Sequence, residues 1–416
     1  MTVLPYTKPT ITEALNSIVY EWAPFAVKIR ADRVESEGKA ELWFYHCNGS
    51  GEELLHTAQV NLMASTTMTA LAKRMAAHSE EIPWPQILTC ITATTIQMVR
   101  RGDPVRDAET CIDVTPPRLL LDPFVVEHYP NVIFGDPGTM KSNFALVLSQ
   151  VAMTDWGNSI GLSPPSTPLR VLYLDWETDF ETVRWQLKTL QQGMKLPDAT
   201  FVSYRRCSLP LALDVQTIAD KIKETKADMI IIDSLGLACA GELSKEQSPL
   251  AFFSALRQLN TTSLILAHNS KGDAKQKSIY GSMFFHAQAR NIWEIRKSQS
   301  EGSSEAGLCL FHVKSPPFLG LQKPRAYKLK FTTTTMHIAA AKAADFQEFV
   351  ENMSVGTQII LALRNGPMTG AELTKEGGIE AANIYVELDR LLKKGQIVKL
   401  SEKRWGLASR SDNSNE

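Results

Sequence analysis

Short apolar runs alternate with longer amphipathic segments through the middle of the chain, and this alternation predicts most of the fold. Four runs are nearly continuously apolar, which is typical of strands buried on both faces of a sheet. They lie at 131–134, 170–176, 229–233 and 263–268. Segments with helical spacing separate or follow them, at 141–153, 179–193, 215–226 and 248–260. The pattern favours an α/β fold, a parallel sheet with helices on both faces. Further strands are predicted at 289–295, 306–314 and 325–333.

The region before this alternation contains a mixture of strands and helices. Residues 25–34 and 39–47 alternate between apolar and polar positions enough to form paired strands. Helical spacing follows at 67–79 and 84–100. The next stretch is predicted to be a linker or a strap because of its prolines, which are Pro104, Pro116, Pro117 and Pro123.

The pattern changes again after the small-residue stretch at 339–346. Three helices are predicted at 357–364, 371–376 and 381–394, and two short strands around a charged turn follow Gly395. Helices followed by a hairpin wing in this order are typical of a winged-helix domain. The predicted domains are an N-terminal α+β domain at 1–112, an α/β domain at 113–340, a winged-helix domain at 345–408 and a disordered tail at 409–416.

Composition and charge exclude several classes of protein. The chain is 44% apolar and 21% charged, as in an ordinary globular protein, and its net charge is −1. A nucleic-acid site must therefore be a local basic patch. The six cysteines are scattered without a C-x-x-C pair, so neither a zinc site nor a disulfide framework is indicated. Without a signal-peptide pattern or an apolar run of roughly 18 residues, the sequence predicts a cytoplasmic protein without membrane contact.

Residues 131–146, NVIFGDPGTMKSNFAL, nearly match the phosphate-binding loop motif G-x-x-x-x-G-K-[ST]. Lys141 is predicted to contact the β- and γ-phosphates, and the Ser142 hydroxyl to bind Mg²⁺. Met140 replaces the second glycine, but it still offers a backbone N–H if its φ is not forced to be positive. The alternative is a solvated turn, which the strand before the loop and the helix after it argue against. The predicted nucleotide-binding residues are Gly135, Asp136, Pro137, Gly138, Thr139, Met140, Lys141, Ser142 and Asp233.

Three further polar residues follow predicted strands, at the ends where ligands bind in open parallel sheets. Asp233 ends the run MIIID and matches the carboxylate placed beside Mg²⁺ in phosphoryl-transfer enzymes. Glu177 follows VLYLD and is suited to polarise an attacking water as a general base. His268 ends LILAH, where it is placed to hydrogen-bond a γ-phosphate. An aspartate there is commonly a helix cap and a lone histidine is often structural, but four such elements in order argue against coincidence.

Five segments together resemble the RecA-type ATPases, and specifically the hexameric replicative helicases of plasmids and phages. They are GDPGTMKS, YLDWE, IIIDS, LAHNSKGD and YGSMFFHAQAR, within about residues 115–335. The set is specific, although each motif is short. The resemblance implies a RecA-like ATPase core that uses ATP and Mg²⁺. It also implies that Glu177 activates water, that Asp233 is the Walker B carboxylate and that His268 is the polar residue ending the next strand.

The resemblance further implies that the nucleotide lies between subunits of a homo-oligomer, a hexamer, and that a cation from the next subunit neutralises transition-state charge. Two residues match this role, Arg290 and Lys314. Relatives often carry Lys-x-Arg at the second position. Here the sequence is Lys314-Ser315-Pro316, so the arginine is missing. The plainer alternative for Arg290 is a surface salt bridge.

Two basic regions are candidates for contact with DNA. A loop with flexible residues carries Lys271, Lys275, Lys277 and Tyr280. The resemblance implies that this loop contacts single-stranded DNA, and Tyr280 is suited to stack on a base. The alternative is a solvated loop near the γ-phosphate. The second candidate is the winged helix, through Lys393, Lys394, Lys403 and Arg404. Winged helices also bind proteins, so both interpretations stay open there.

The sequence therefore predicts an ATP-hydrolysing DNA motor or loader of the RecA and replicative-helicase type, which acts on single-stranded DNA as a ring. One alternative is a recombination or regulatory ATPase that binds DNA without unwinding it. Another is a catalytically weak nucleotide-binding module, if Met140 and the missing arginine reflect lost hydrolysis. The N-terminal domain and the winged helix are the candidate regions for protein partners.

Overall fold

The computed structural model describes most of the chain, and the architecture below refers to those residues. They are 4–14, 17–35, 37–48, 51–101, 117–154, 156, 158–196, 202–270, 278–281, 283–346, 349, 355–363, 366–377 and 381–408. Within this described part, no helix is long and apolar enough to cross a membrane. Most of the predicted linker, 102–116, and the predicted tail, 409–416, lie outside the described residues, so both stay predictions.

The N-terminal region forms a five-stranded antiparallel meander followed by two helices. The strands are β1 (Thr10–Ala14), β2 (Ser17–Trp22), β3 (Val27–Asp32), β4 (Lys39–Asn48) and β5 (Gly51–Asn61), and the helices are α1 (Ser65–Ala76) and α2 (Trp84–Arg101). The predicted pairing of the second apolar-polar run with the first is confirmed, since β3 pairs with β4. Every second side chain of β3 points into a core that the two helices cover, as Val27 and Ile29 do.

A nine-stranded sheet occupies the centre of the chain, beside a small two-stranded sheet of β6 (Leu119–Leu121) and β7 (Val125–Val126). Its strands are β8 (Pro130–Gly135), β9 (Val171–Asp175), β10 (Ser203–Arg206), β11 (Met229–Asp233), β12 (Thr262–His268), β13 (Asn291–Ser298), β14 (Glu305–Lys314), β15 (Arg325–Phe331) and β16 (Met336–Ala341). Their order is β10-β9-β11-β12-β8-β13-β14-β15-β16. Neighbours from β10 to β13 run parallel, and the pairs from β13 to β16 are antiparallel.

Helices cover both faces of the parallel part, which explains why its strands are apolar throughout. The helices are α3 (Lys141–Met153), α4 (Phe180–Met194), α5 (Leu211–Thr225), α6 (Leu235–Ala238), α7 (Gln247–Leu259) and α8 (Met283–Gln288). Successive side chains of a strand point to opposite faces. In β11, Met229 and Ile231 enter one hydrophobic core while Ile230 and Ile232 enter the other. The predicted α/β fold with a parallel sheet is confirmed.

The C-terminal elements follow the order helix, strand, helix, helix, strand, strand. They are α9 (Val355–Leu363), β17 (Met368–Thr369), α10 (Gly370–Gly377), α11 (Ala381–Lys393), β18 (Ile397–Lys399) and β19 (Arg404–Leu407). The strands pair in the order β17-β19-β18. Residues from all three helices share one core, including Ile359, Leu373 and Leu388. Three helices and a hairpin were predicted here, and β17 is the added strand.

Candidate nucleotide-binding site

The carboxyl ends of four parallel strands meet in a row and bring the predicted residues together. Gly135 at the end of β8 lies opposite His268 at the end of β12. Asp233 at the end of β11 lies opposite Asp175 at the end of β9. A pocket of 270 Å³ opens at this edge. Its lining residues are Gly138, Met140, Lys141, Ser142, Asn143, Glu177, Gln186, Asp233 and His268.

The loop between β8 and α3 holds Met140 in a backbone conformation that normally favours glycine. Met140 has φ 64° and ψ 32°, in the left-handed region that favours glycine. This conformation costs a residue with a Cβ about 1–2 kcal/mol. Its side chain packs against the hydrophobic core and also borders the pocket. The condition stated from the sequence, that the φ of Met140 is not positive, is therefore not met, because the methionine takes the backbone turn of a glycine.

Gly135 is required by a close approach of two strands. A Cβ at this position would clash with the backbone oxygen of Ile295 on β13 and would lie 2.9 Å from Thr139 Oγ1. Gly138 has φ 75° and open space around its Cα. Gly135, the first glycine of the motif, is thus fixed by sheet packing, and Gly138 within the loop by its backbone conformation.

Lys141 is held inside the loop. Its Nζ donates hydrogen bonds to the carbonyl oxygens of Gly135 and Asp136, at 3.0 and 2.9 Å, and it is 7% exposed. Burial lowers the pKa of the ammonium, while the nearby carboxylates, Glu177 foremost, act in the opposite direction. Its described acceptors, two carbonyl oxygens and the His268 ring, are all neutral, so this buried ammonium is suited to receive anionic phosphate oxygens.

Asp233 and Ser142 place two oxygen ligands side by side. The Asp233 carboxylate is 3% exposed, accepts a hydrogen bond from the Tyr173 hydroxyl at 2.5 Å and is hydrogen-bonded by the Ser142 side chain. In the described part of the chain, no group of three or more His, Cys, Asp or Glu residues could hold a metal by itself. A hydroxyl and a carboxylate fit Mg²⁺, which takes its remaining ligands from water and substrate phosphates.

We expect Asp233→Asn to stabilise the protein in the absence of nucleotide. Burial raises the pKa of Asp233 to about 6. The native state therefore holds a proton between pH 4 and 6 that the unfolded state has lost, and stability falls as pH rises through this window. Ionisation of the buried Asp233 carboxyl at pH 7 lowers the free energy of unfolding by roughly 3 kcal/mol. An asparagine does not ionise, so the variant avoids this loss.

The measurement is urea unfolding at several pH values, with Asp220→Asn on the surface of α5 as the control. The Asp233 variant should be more stable at pH 7 and should lose the decline in stability between pH 4 and 6. Destabilisation at pH 7 with an unchanged pH profile would contradict this account.

The carboxylate of Asp175 fixes the turn that carries Glu177. Asp175 is fully buried, and its Oδ1 accepts hydrogen bonds from the backbone N–H groups of Glu177 and Thr178, at 2.8 and 2.9 Å. Its Oδ2 accepts from the Thr178 and Tyr204 hydroxyls, at 2.7 and 2.9 Å. All of its oxygens are used in these contacts, so Asp175 orients the turn. The half-exposed Glu177 carboxylate is left to face the pocket.

His268 lies between Lys141 and Glu177. Its Nδ1 is 3.4 Å from Lys141 Nζ, and its Nε2 is 3.8 Å from Glu177 Oε2. Burial, and then the charge of Lys141, lower the pKa of the imidazole. An ammonium can only donate, so we assign the ring proton to Nε2 on the side of Glu177. The structure thus joins Lys141, His268 and Glu177 through these contacts, with Asp233 lining the same pocket.

Arg290 and Lys314 lie at the opposite edge of the sheet. The Arg290 backbone N–H donates to the Pro130 carbonyl at 3.2 Å, at the amino end of β8. Since β8 rises roughly 3.3 Å per residue, this edge is on the order of 16 Å from the phosphate loop. Lys314 Nζ donates to the carbonyl oxygens of His286 and Ala287, at 2.8 and 2.9 Å. Neither residue lines the pocket of its own chain.

The residues that border the predicted DNA loop are joined to His268. Lys271, Lys275 and Lys277 lie outside the described residues. On either side of them, the Ser270 N–H donates to Ser278 O at 2.9 Å, and the Tyr280 N–H donates to His268 O at 2.8 Å. The Tyr280 side chain is 48% exposed. The base of the loop is therefore a short antiparallel ladder that begins at the pocket.

Two of the four basic residues predicted for DNA contact in the C-terminal region are paired with acidic residues. Lys393 Nζ lies 2.6 Å from Asp389 Oδ2, and Arg404 Nη2 lies 3.1 Å from Glu372 Oε1. Lys394 and Lys403 are exposed. Local pairing of this kind reduces the positive charge available to a phosphate backbone.

Sequence reasoning missed the hydroxyls that organise the acidic residues. Tyr173 and Tyr204 hold Asp233 and Asp175, and Gln186 of α4 lines the pocket. A signal exists for Tyr173, because it lies two residues before Asp175 in one strand and so points to the same face. Tyr204 lies on an edge strand that the sequence did not reveal.

A known family model matches the part of the chain that contains this site. The AAA domain family model matches residues 97–274, a range that contains the phosphate loop and Glu177, Asp233 and His268. A solved structure of a KaiC-like protein from the hyperthermophilic archaeon Pyrococcus horikoshii OT3 is 13% identical; the match covers 55% of this chain and 100% of that chain, with a TM-score of 0.37. No curated protein sequence matches the chain. The family match supports a P-loop ATPase in the central region.

Proposed function

We propose that this protein is a cytoplasmic, Mg²⁺-dependent ATPase that acts on single-stranded DNA as a ring of identical subunits, a hexamer, in the manner of a helicase or a helicase loader. The observation that carries the proposal is the row of Lys141, Glu177, Asp233 and His268 at the carboxyl ends of adjacent strands. These side chains supply a phosphate-binding cation, a base, a metal-binding carboxylate and a hydrogen-bond donor.

Each of these side chains has a defined role in hydrolysis. Lys141 leaves the loop carbonyls to contact the β- and γ-phosphates, and the N–H groups of the loop surround the phosphate oxygens. Ser142 and Asp233 would hold Mg²⁺, which would neutralise phosphate charge. Glu177 accepts a proton from the attacking water as its oxygen bonds to the γ-phosphorus. The bond from the γ-phosphorus to the β–γ bridging oxygen breaks, and ADP and phosphate leave.

The shape of the loop supports a working site over a catalytically weak one. The turn between β8 and α3 still places Lys141 and Ser142 at the pocket, although the condition that Met140 avoids a positive φ is not met. The neutral imidazole of His268, with its proton directed from Nε2, is suited to hydrogen-bond a γ-phosphate oxygen and to report its loss. The Tyr280 N–H donates a hydrogen bond to the His268 carbonyl. A movement of His268 would therefore be transmitted directly to the base of the DNA loop.

In the proposed ring, the carboxyl edge of the sheet in one copy faces the amino edge of the sheet in the next copy. Arg290 is exposed at the edge opposite the phosphate loop, where it cannot serve its own pocket. In a ring it would face the nucleotide of the next copy. The C-terminal region has the element order of a winged helix, and its partly neutralised basic residues make it a secondary DNA contact or a protein contact.

The test of DNA as the partner is the triple change of Lys271, Lys275 and Lys277 to Ala. Because the whole chain has a net charge of −1, attraction to DNA must come from local lysines. Single-strand binding should weaken, and each lost phosphate contact should lower the slope of log K against log salt by about 0.7. ATP turnover without DNA should survive, since none of the three is assigned to the nucleotide, and DNA-stimulated turnover should vanish.

The matched control changes Lys393, Lys394 and Lys403 to Ala, which removes the same charge from the C-terminal region. Fluorescence anisotropy with a labelled oligonucleotide at several salt concentrations gives both affinity and slope. Unchanged affinity and slope in the loop variant, with loss in the control, would move the DNA site to the winged helix.

A further inference from the structure

The carboxylate of Glu177, the proposed base, is held more by the backbone beneath it than by contacts of its own. Its described ion-pair contact is with His268 Nε2, at 3.8 Å, which is too long for a hydrogen bond. The side chain of Glu177 is 39% exposed, so packing constrains it little. The direction in which the carboxylate points therefore depends on the turn at 175–178.

Backbone hydrogen bonds fix the start of this turn. The Cys207 N–H donates to the Asp175 carbonyl at 2.7 Å, and the Trp176 N–H donates to the Asp233 carbonyl at 2.6 Å. The turn is thereby tied to the strands on both sides of β9. These contacts hold the two residues before Glu177, and they leave the rest of the turn to be fixed by other groups.

The side chain of Asp175 holds the second half of the turn. Its Oδ1 accepts hydrogen bonds from the N–H groups of Glu177 and Thr178, at 2.8 and 2.9 Å. A rotation of the carboxylate about its Cβ–Cγ bond would lengthen both contacts. The orientation of Glu177 therefore depends on the groups that prevent this rotation.

Two hydroxyls prevent it by binding the other oxygen of Asp175. Its Oδ2 accepts from Thr178 Oγ1 at 2.7 Å and from Tyr204 Oη at 2.9 Å. Thr178 belongs to the turn itself and moves with it. Tyr204 lies 29 positions further along the chain, in β10. Its hydroxyl therefore ties the carboxylate to a separate element of the sheet.

The ring of Tyr204 is itself held on both sides. Tyr204 lies opposite Tyr173 in the pairing of β10 with β9, and the two rings stack with their centroids 6.3 Å apart. Phe180, the first residue of α4, packs against the same ring at 5.3 Å. Burial, and then the hydrogen bond to Asp175, raise the pKa of the Tyr204 hydroxyl, so it remains a donor at neutral pH. A fixed ring thus presents its hydroxyl at one point.

We infer that Tyr204 is a positioning residue for hydrolysis, because its hydroxyl fixes the Asp175 carboxylate and thereby the turn that orients Glu177 toward the attacking water. The inference rests on the proposed function and adds to it a residue outside the described lining of the pocket. Asp175 is fully buried, so bulk water is poorly placed to replace a lost donor. A misplacement of a reacting group by about 1 Å can lower a rate by about 10²-fold.

The first test compares Tyr204→Phe with Tyr327→Phe. The first change keeps the ring contacts with Tyr173 and Phe180 and removes only the hydroxyl. It should lower kcat by about 10-fold, with little change in KM for ATP, because Lys141 and the phosphate loop are untouched. Tyr327 is also buried, but its hydroxyl has no hydrogen-bond partner in the described part of the chain. Tyr327→Phe should hydrolyse ATP at the wild-type rate, and equal kcat values in the two variants would overturn the inference.

A double-mutant cycle tests whether Tyr204 acts through Glu177. In the Glu177→Gln background the base is already lost, so adding Tyr204→Phe should not lower the residual rate further. A tyrosine that only stabilises the fold would lower the rate by the same factor in both backgrounds. Losses that multiply in this way would contradict the positioning role.

Hydrogen exchange separates this inference from the proposed activity. If the wild-type protein shows no ATP turnover, the proposed function fails, but the N–H groups of Glu177 and Thr178 still report on the Asp175 carboxylate. Their exchange with deuterium, measured without nucleotide, should be faster in Tyr204→Phe than in Tyr327→Phe. Equal exchange would overturn the inference, whether or not the wild-type protein is active.

Discussion

Lys141→Ala is expected to abolish ATP binding at ordinary nucleotide concentrations. Its ammonium is the only lysine or arginine cation among the described residues that line the pocket. Each charge-assisted hydrogen bond to a phosphate oxygen contributes about 1.5–3 kcal/mol, so losing two of them weakens binding by about 10²-fold or more. Titration calorimetry with ATP and Mg²⁺ measures this loss.

The control for this variant is Lys188→Ala, which removes an exposed lysine from α4. It should bind ATP with wild-type affinity. Circular dichroism of both variants checks that the loss of the contacts from Lys141 to the Gly135 and Asp136 carbonyls has not unfolded the loop region. ATP binding by a folded Lys141→Ala protein at wild-type affinity would mean that the phosphate loop is misassigned.

Glu177→Gln is expected to separate binding from hydrolysis. The amide fills the same space and keeps the turn, which depends on the backbone N–H of residue 177 and on Asp175 rather than on the Glu177 side chain. It cannot accept a proton from water, so turnover should fall by about 10²-fold or more, the usual scale for a general base. ATP affinity should remain or rise slightly, because a negative charge beside the phosphates is removed.

Single-turnover phosphate release and calorimetric binding on the same preparation distinguish the two effects. Glu181→Gln, in the exposed first turn of α4, is the matched control and should hydrolyse ATP normally. Loss of binding together with turnover in Glu177→Gln would instead make Glu177 a structural residue.

The predictable parts of the fold are those where one segment carries its own signal. The run MIIID is typical of a strand with two buried faces, and the structure places its alternate residues in two cores. The ends of such strands fall on one edge, so Asp233, Glu177 and His268 could be grouped before any coordinates existed. The phosphate loop was recognisable because its strand and helix flank it directly.

The parts that could not be predicted depend on contacts between distant segments. The strand β10 reads SYRR, and it lies at the edge of the sheet, where no continuous apolar run is needed. A pocket of 230 Å³ at the amino edge of the central sheet is lined by both Arg257 and Arg290. These two residues are more than 30 positions apart in the chain. The sequence showed that the backbone of Met140 mattered, but not that its φ is positive.

The most direct test of the account is phosphate release from ATP by the wild-type protein, with and without Mg²⁺ and single-stranded DNA. The account predicts turnover that requires Mg²⁺, that rises when single-stranded DNA is added, and that is absent in Lys141→Ala under every condition. Phosphate release by the wild-type protein no greater than that of Lys141→Ala, with Mg²⁺ and DNA both present, would contradict it.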